Sequence, residues 1–388
     1  MQSLPLQRDV FTNPPPEANL PNDKILKIEL PHYGLVEASS CFFDTYYPVF
    51  TKDLEMKSAP FDPCFLYKIT KGTTTGITGL ASDDSMNTGN ADYEEAEAKA
   101  TKGFITRKKV ERKLRFLGFV IGRDETQICI YQDNHSSRLE TLETVDHDRF
   151  RTIRGQLLFI AQSSRPAIAY SVAQLCQVQY KTKTQRDVNA LNNTVKHLQA
   201  TTKLKLQYNK LNKNKVRLLV FMDSGYNTNR DGTSQLGVII FMADDKNNCH
   251  FLHWISSKCP RITRSMLASE TYAFSMGYDY GVSLKLLFKK MNMDIPLFIF
   301  TDCKSIFDTI TASKRLRELR LMNEIADIRR AYRVGEIDNV AWIRSKQNIA
   351  DNLTRHNGND ILKKAMETGR IDFVIEQWVY KNTGNGLL

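Results

Sequence analysis

Apolar positions fall into short runs or recur at helical spacing along most of the chain, and the pattern changes near residue 203. Before it, apolar runs predict short strands at 24–30, 64–69 and 77–81. The stretches 114–121 and 127–131 alternate in the manner of a hairpin. Residues 36–56 predict a helix with an aromatic face of Phe42, Phe43, Tyr46, Tyr47 and Phe50, and 93–104 a helix acidic at its start and basic at its end. Helical spacing returns at 150–162, 167–178 and 187–200. The Lys/Asn-rich stretch 203–215 reads as a connector and as the best domain boundary. Beyond it, strands are predicted at 216–222, 236–242, 251–256, 297–301 and 340–344. Helices are predicted at 264–291, 304–312, 318–332 and, near the tail, 361–367. Three strands, a helix, a strand, helices and a strand make an α/β pattern. Its fourth strand, apolar throughout, is expected to be covered on both faces.

Composition narrows the class. With 388 residues, 41% hydrophobic and 25% charged, the chain is an ordinary globular sequence long enough for about two domains. No apolar run is long enough for a membrane span, and the polar, Pro-rich start is no signal peptide. The seven cysteines are scattered without a Cys-x-x-Cys pair, which argues for reduced thiols inside a cell and against a structural zinc site. The formal charge of +11 is concentrated: residues 151–215 hold twelve basic residues and one acid, Asp187. Such a segment is either a solvated lysine-rich surface or a phosphate-tracking one.

Four acids carry the candidate chemistry. Asp223 and Asp302 each follow an apolar strand, where ligands of open α/β sheets bind, although either alone reads as a turn acid. Glu270 shares a helical stripe with Leu267, Phe274, Tyr278 and Val282, which puts a carboxylate on an apolar face. Buried there, it needs a cation, a hydrogen bond or a metal. Asp351 follows the fifth strand and alone reads as a helix N-terminal acid. Together these carboxylates would repel, by about 4 kcal/mol per pair at ~4 Å and an effective dielectric of 20. A divalent ion relieves that repulsion, and oxygen-only ligands point to two Mg2+ ions, with Mn2+ an option.

On these residues the chain resembles the ribonuclease H domain of copia-type long-terminal-repeat retrotransposon polyproteins. The matching stretches are 220–226, 256–273, 300–307 and 348–354. The resemblance implies a ribonuclease H-like domain at 214–356, with a mixed five-stranded sheet and flanking helices, followed by a tail at 357–388 with a short helix. It also implies a catalytic, metal-binding quartet of Asp223, Glu270, Asp302 and Asp351, acting on an RNA–DNA hybrid. Lys258, Arg264 and Ser265 are the candidates for backbone contacts. One departure from the wider superfamily is the lack of a histidine between Ile343 and Ala350; His356 comes after the last acid.

Residues 1–205 resemble the C-terminal part of the reverse transcriptase of the same polyprotein, a truncated α+β palm with a helical thumb or connection. The resemblance rests on Tyr33, Gly34 and Leu35, on Phe61, Asp62, Pro63, Cys64 and Tyr67, and on Ala81, Ser82, Asp83 and Asp84. Arg154, Gly155, Leu157, Arg165, Pro166, Ile168 and Ala169 match the helices behind the palm. Asp83 and Asp84 are then a polymerase-motif remnant, with Ala81 where the family has an aromatic residue. The other palm aspartate would lie upstream of Met1, so loss of polymerase activity is expected. The resemblance also makes Arg154 and Arg165 candidate nucleic-acid contacts. Two alternatives stay open: a non-catalytic or decayed nucleic-acid-binding remnant, and a full RNA-directed DNA polymerase whose reading frame continues upstream of Met1. Oligomeric state has no signal in the sequence.

Overall fold

A computed structural model describes the chain apart from residues 1–4, 22, 33, 82–83, 105–111, 133–134, 180–181, 312–317, 357 and 379–388. Two compact units result, one of residues 1–110 with 287–293, the other of 111–286 with 294–388.

In the first unit, β1 (Val10–Thr12) and β2 (Leu26–Ile28) form an antiparallel pair. Helix α1 (Ala38–Pro48) continues into one wider turn at Val49–Asp53. Strands β3 (Lys57–Ser58), β4 (Phe65–Thr70), β5 (Thr73–Ala81) and β6 (Asp84–Gly89) build an antiparallel sheet, and α2 (Ala91–Ala100) follows. Phe42, Tyr46 and Phe50 bury the predicted aromatic face against Leu66, Leu80 and Tyr93.

The second unit begins with β7 (Lys113–Phe116), β8 (Phe119–Arg123) and β9 (Gln127–Tyr131), then α3 (His135–Arg138). Helices α4 (His147–Ser163), α5 (Ala169–Cys176) and α6 (Gln185–Ala200) bury one apolar cluster, including Phe150, Leu157, Val172, Leu191 and Leu198. The stretch expected to be a plain connector holds a strand, β10 (Leu206–Asn209), which pairs with β9. Leu206 is fully buried there, enough to hold a short strand in a polar sequence.

The principal sheet follows. Strands β11 (Arg217–Gly225), β12 (Gln235–Ala243) and β13 (Cys249–Lys258) form an antiparallel meander, and α7 (Met266–Lys290) crosses to β14 (Leu297–Thr301), parallel to β11. Helices α8 (Lys304–Thr311) and α9 (Met322–Val334) lead to β15 (Asn339–Ile343), parallel to β14. After α10 (Ile361–Thr368), β16 (Ile375–Trp378) adds an antiparallel edge strand. The sheet is mixed, in the order β13-β12-β11-β14-β15-β16, so the five predicted strands are joined by a sixth from the expected tail. This is the mixed sheet with flanking helices that the sequence resemblance implies.

Its two faces are covered differently. Leu219, Phe221, Phe241 and Phe300 pack with Leu353, Leu362, Met366 and Leu206. On the other face Val220 and Met222 lie under Gly277 of α7, where an added Cβ would stand 3.1 Å from each of their side chains. Within the second unit, Trp254 Nε1 donates to Ala161 O at 2.7 Å, and Gln174 Nε2 to Asn229 Oδ1 at 2.6 Å, joining 147–176 to the principal sheet. Among the described residues no helix is long and apolar enough to cross a membrane.

Candidate active site

Strand register brings the first two acids together. β11 and β14 run side by side with Phe221 opposite Phe300, so Asp223 and Asp302, each two residues further on, reach the same sheet end. Asp351 arrives in a 3-10 turn, Ile349–Leu353, that follows β15. Gly237 of β12 makes room for that turn: a Cβ there would lie 2.7 Å from Leu353 Cβ and 2.9 Å from Thr354 Cγ2. The result is that single carboxylate oxygens of Asp223, Asp302 and Asp351 all lie within 4.8 Å of one another. Glu270 enters from the second turn of α7, 6% exposed, with Oε2 buried and without a hydrogen-bond partner. Ser224 faces it with its hydroxyl and backbone N–H, and Ser224 is itself hydrogen-bonded to Ser269 at 2.8 Å.

A shell of polar side chains fixes these acids. Asn348, fully buried, donates through Nδ2 to Asp302 Oδ1 (3.1 Å) and to Met222 O (2.9 Å). Its Oδ1 accepts from the backbone N–H of Ala350 at 3.2 Å, and its carbonyl accepts from Asn359 Nδ2 at 2.6 Å. One side chain therefore ties the ends of β11 and β14 to the turn that carries Asp351. Thr354 Oγ1 donates to Asp223 Oδ2. Arg355 Nη2 stands 2.8 Å from Asp351 Oδ1 and 3.6 Å from Asp223 Oδ2. Trp342 Nε1 donates to the carbonyl of Asp302 at 3.1 Å.

The electrostatics record the crowding. Burial, then repulsion from Asp223 and Asp302, pushes Glu270 well above the usual carboxylate range. Burial, then Asp302, pushes Asp223 up to about 6, against the opposing pull of Thr354 and Arg355. Asp351 is pushed up to about 7, first by burial and then by Asp223. Burial and the neighbouring Glu270 also hold the Cys303 thiol up at about 12. An all-oxygen cluster with one orphaned, buried carboxylate oxygen fits a hard divalent cation, whose charge would relieve both the repulsion and the missing partner.

The other anticipated residues lie elsewhere. Lys258 forms a surface ion pair with Asp231. Arg264 is exposed just ahead of α7, and Ser265 caps that helix by accepting from the backbone N–H of Ala268 at 3.0 Å. Arg154 is half-buried and reaches Val178 O at 3.4 Å. Arg165 departs from its expected role. It is 4% exposed, and its guanidinium donates to Thr201 O at 2.9 Å and to the Thr201 hydroxyl. A cation so placed closes the C-terminal end of α6 and is withdrawn from phosphates. Asp84 is exposed at the start of β6, whereas Asp83 lies outside the described residues, as do Tyr33 and Ser82. Sequence reasoning did not single out Asn348, Thr354 or Arg355. Their one signal was position, in and beside the segment that carries Asp351.

No family model matches this chain, and no curated protein matches it. Solved structures do. LC11-RNase H1, isolated from compost by a metagenomic approach, is 20% identical over 36% of this chain and 92% of that chain, with a TM-score of 0.28. The N-terminal RNase H domain of a Mycobacterium tuberculosis protein is 15% identical, over 36% and 91%, with a TM-score of 0.29. The foamy viral protease-reverse transcriptase, solved in complex with dsDNA, is 10% identical, over 78% of this chain and 58% of that chain, with a TM-score of 0.44.

Proposed function

We propose that this chain is a retroelement-type ribonuclease H, of the copia kind by its sequence stretches, that cleaves the RNA strand of an RNA–DNA hybrid in a divalent-metal-dependent reaction. The nuclease portion is the proposed domain at 214–356, extended by the strand at 375–378, and the setting is intracellular. The observation that carries the reading is the convergence of three aspartate oxygens within 4.8 Å beside the buried, unpartnered oxygen of Glu270.

Asp223, Glu270, Asp302 and Asp351 would hold the metal, Mg2+ or Mn2+. When bound, such ions acidify water and offset the charge that builds on a phosphate oxygen as a phosphodiester breaks. The protein's own contribution is positional. Asn348 aims Asp302, Thr354 aims Asp223, and the Gly237 clearance lets the Asp351 turn close on the sheet. Exposed Arg264 is the candidate for sequence-independent contact with the duplex backbone.

The test is cleavage of a labelled RNA–DNA hybrid by the full chain in Mg2+, beside Asp302→Asn. Cutting confined to the RNA strand, reduced about a hundredfold or more in the variant, is expected. An intact hybrid in both Mg2+ and Mn2+ overturns the reading and leaves a nucleic-acid-binding remnant.

A further inference from the structure

Among the described residues, Arg355 is the cation that the salt bridges place on the acid cluster. Its guanidinium touches two of the three gathered aspartates, 2.8 Å from Asp351 and 3.6 Å from Asp223, while half of its side chain stays in solvent. It lies one residue past Thr354, which grips Asp223 directly. Asp351 and Arg355 are four apart in sequence and leave the same turn, so their pairing needs no other element to form. Among the described residues Asp302 and Glu270 have no such cation: the donor on Asp302 is the neutral Asn348, and Glu270 Oε2 has none.

We infer that Arg355 is a built-in counter-ion that occupies the Asp223–Asp351 side of the cluster and must be displaced when a divalent cation takes those oxygens. This rests on the metal-dependent reading above. Two consequences separate the sides of the site. The Asp302–Glu270 side carries uncompensated acceptors and takes a cation first. The Asp223–Asp351 side takes one only in competition with the guanidinium, which lowers its affinity and keeps the aspartates gathered beforehand. Arg355 is thus a positioning residue that tunes loading.

Mn2+ binding to the full chain, measured by calorimetry without nucleic acid, tests this. Arg355→Gln should bind Mn2+ about tenfold tighter in its weaker phase, as expected for loss of one half-exposed competing charge, and the gain should shrink as salt rises. Arg355→Lys should return towards the native affinity. Equal affinity in native chain and Arg355→Gln overturns the inference and leaves the metal reading intact. If neither binds more Mn2+ than a variant carrying both Asp223→Asn and Asp302→Asn, the metal reading fails and the inference with it. Nitrogen NMR of the native Arg355 side chain covers a failure of the variant to fold. Its resonance should shift in step with Mg2+ addition, and a resonance that stays fixed through saturation overturns displacement.

Discussion

Asn348 shows how much of the site depends on one neutral side chain. It spends both amide hydrogens on groups from different strands, and its two carbonyl oxygens accept from Ala350 and Asn359. Asn348→Asp keeps the shape, removes the two donors and sets a like charge against Asp302. A loss of about 3 kcal/mol or more in urea unfolding is expected, together with hybrid cleavage reduced at least tenfold. A variant as stable and as active as the native chain would count against the role given to Asn348. The acids themselves were legible because strand-end and stripe positions are visible one element at a time. Asn348, Thr354 and Arg355 were not, since their partners come from strands more than a hundred residues away or depend on the angle of a turn. Arg165 is illegible for a related reason: a basic residue in a basic segment gives no sign that its guanidinium will close a helix end.

At the level of elements, the strands and helices of 216–344 follow their apolar periodicity closely, because β11, β12 and β14 are buried on both faces and the helices on one. The elements that escaped are short and polar. β10 lies in a Lys/Asn-rich stretch and β6 carries hardly any apolar residues, so pairing, not pattern, defines them. Gly237 links this scale to the site. Its lack of a side chain sets how near the Asp351 turn approaches β12. Gly237→Leu should leave strand content unchanged by circular dichroism while cutting Mn2+ affinity and cleavage about tenfold, because the turn must retreat. Unaltered affinity would show that Asp351 is held by its own turn and not by this clearance.

For the whole molecule, the crowded acids make stability depend on pH and metal together. Burial and the neighbouring Asp223 push Asp351 up to about 7, well above the ordinary carboxylate range, and Asp223 and Glu270 are raised as well. A raised folded value means that the unfolded chain releases its protons first. In chelator, the melting temperature should therefore be highest below about pH 4 as far as these groups decide it, and fall as pH climbs towards about 7. Because ligation needs the proton-free carboxylates, Mg2+ should raise the melting temperature more at pH 7.5 than at pH 5. An equal rise at both would indicate that the cluster is not where Mg2+ acts.

The sixth strand gives the molecule one more property. β16 hydrogen-bonds along β15, and the neighbouring Phe373 sits edge-on to both Phe221 and Phe300, at 5.0 Å from each ring. The clustered acids with Asn348, Thr354 and Arg355 are in place by residue 355, yet the outer rim of the sheet and a wedge of its interior are supplied some twenty residues later. A copy interrupted just before β16 would keep its four acids and their polar partners. It would also present a naked strand, with unpaired amides and carbonyls, to any neighbour able to zip onto it. For this architecture, a late stop bares a strand edge before it touches the acid cluster.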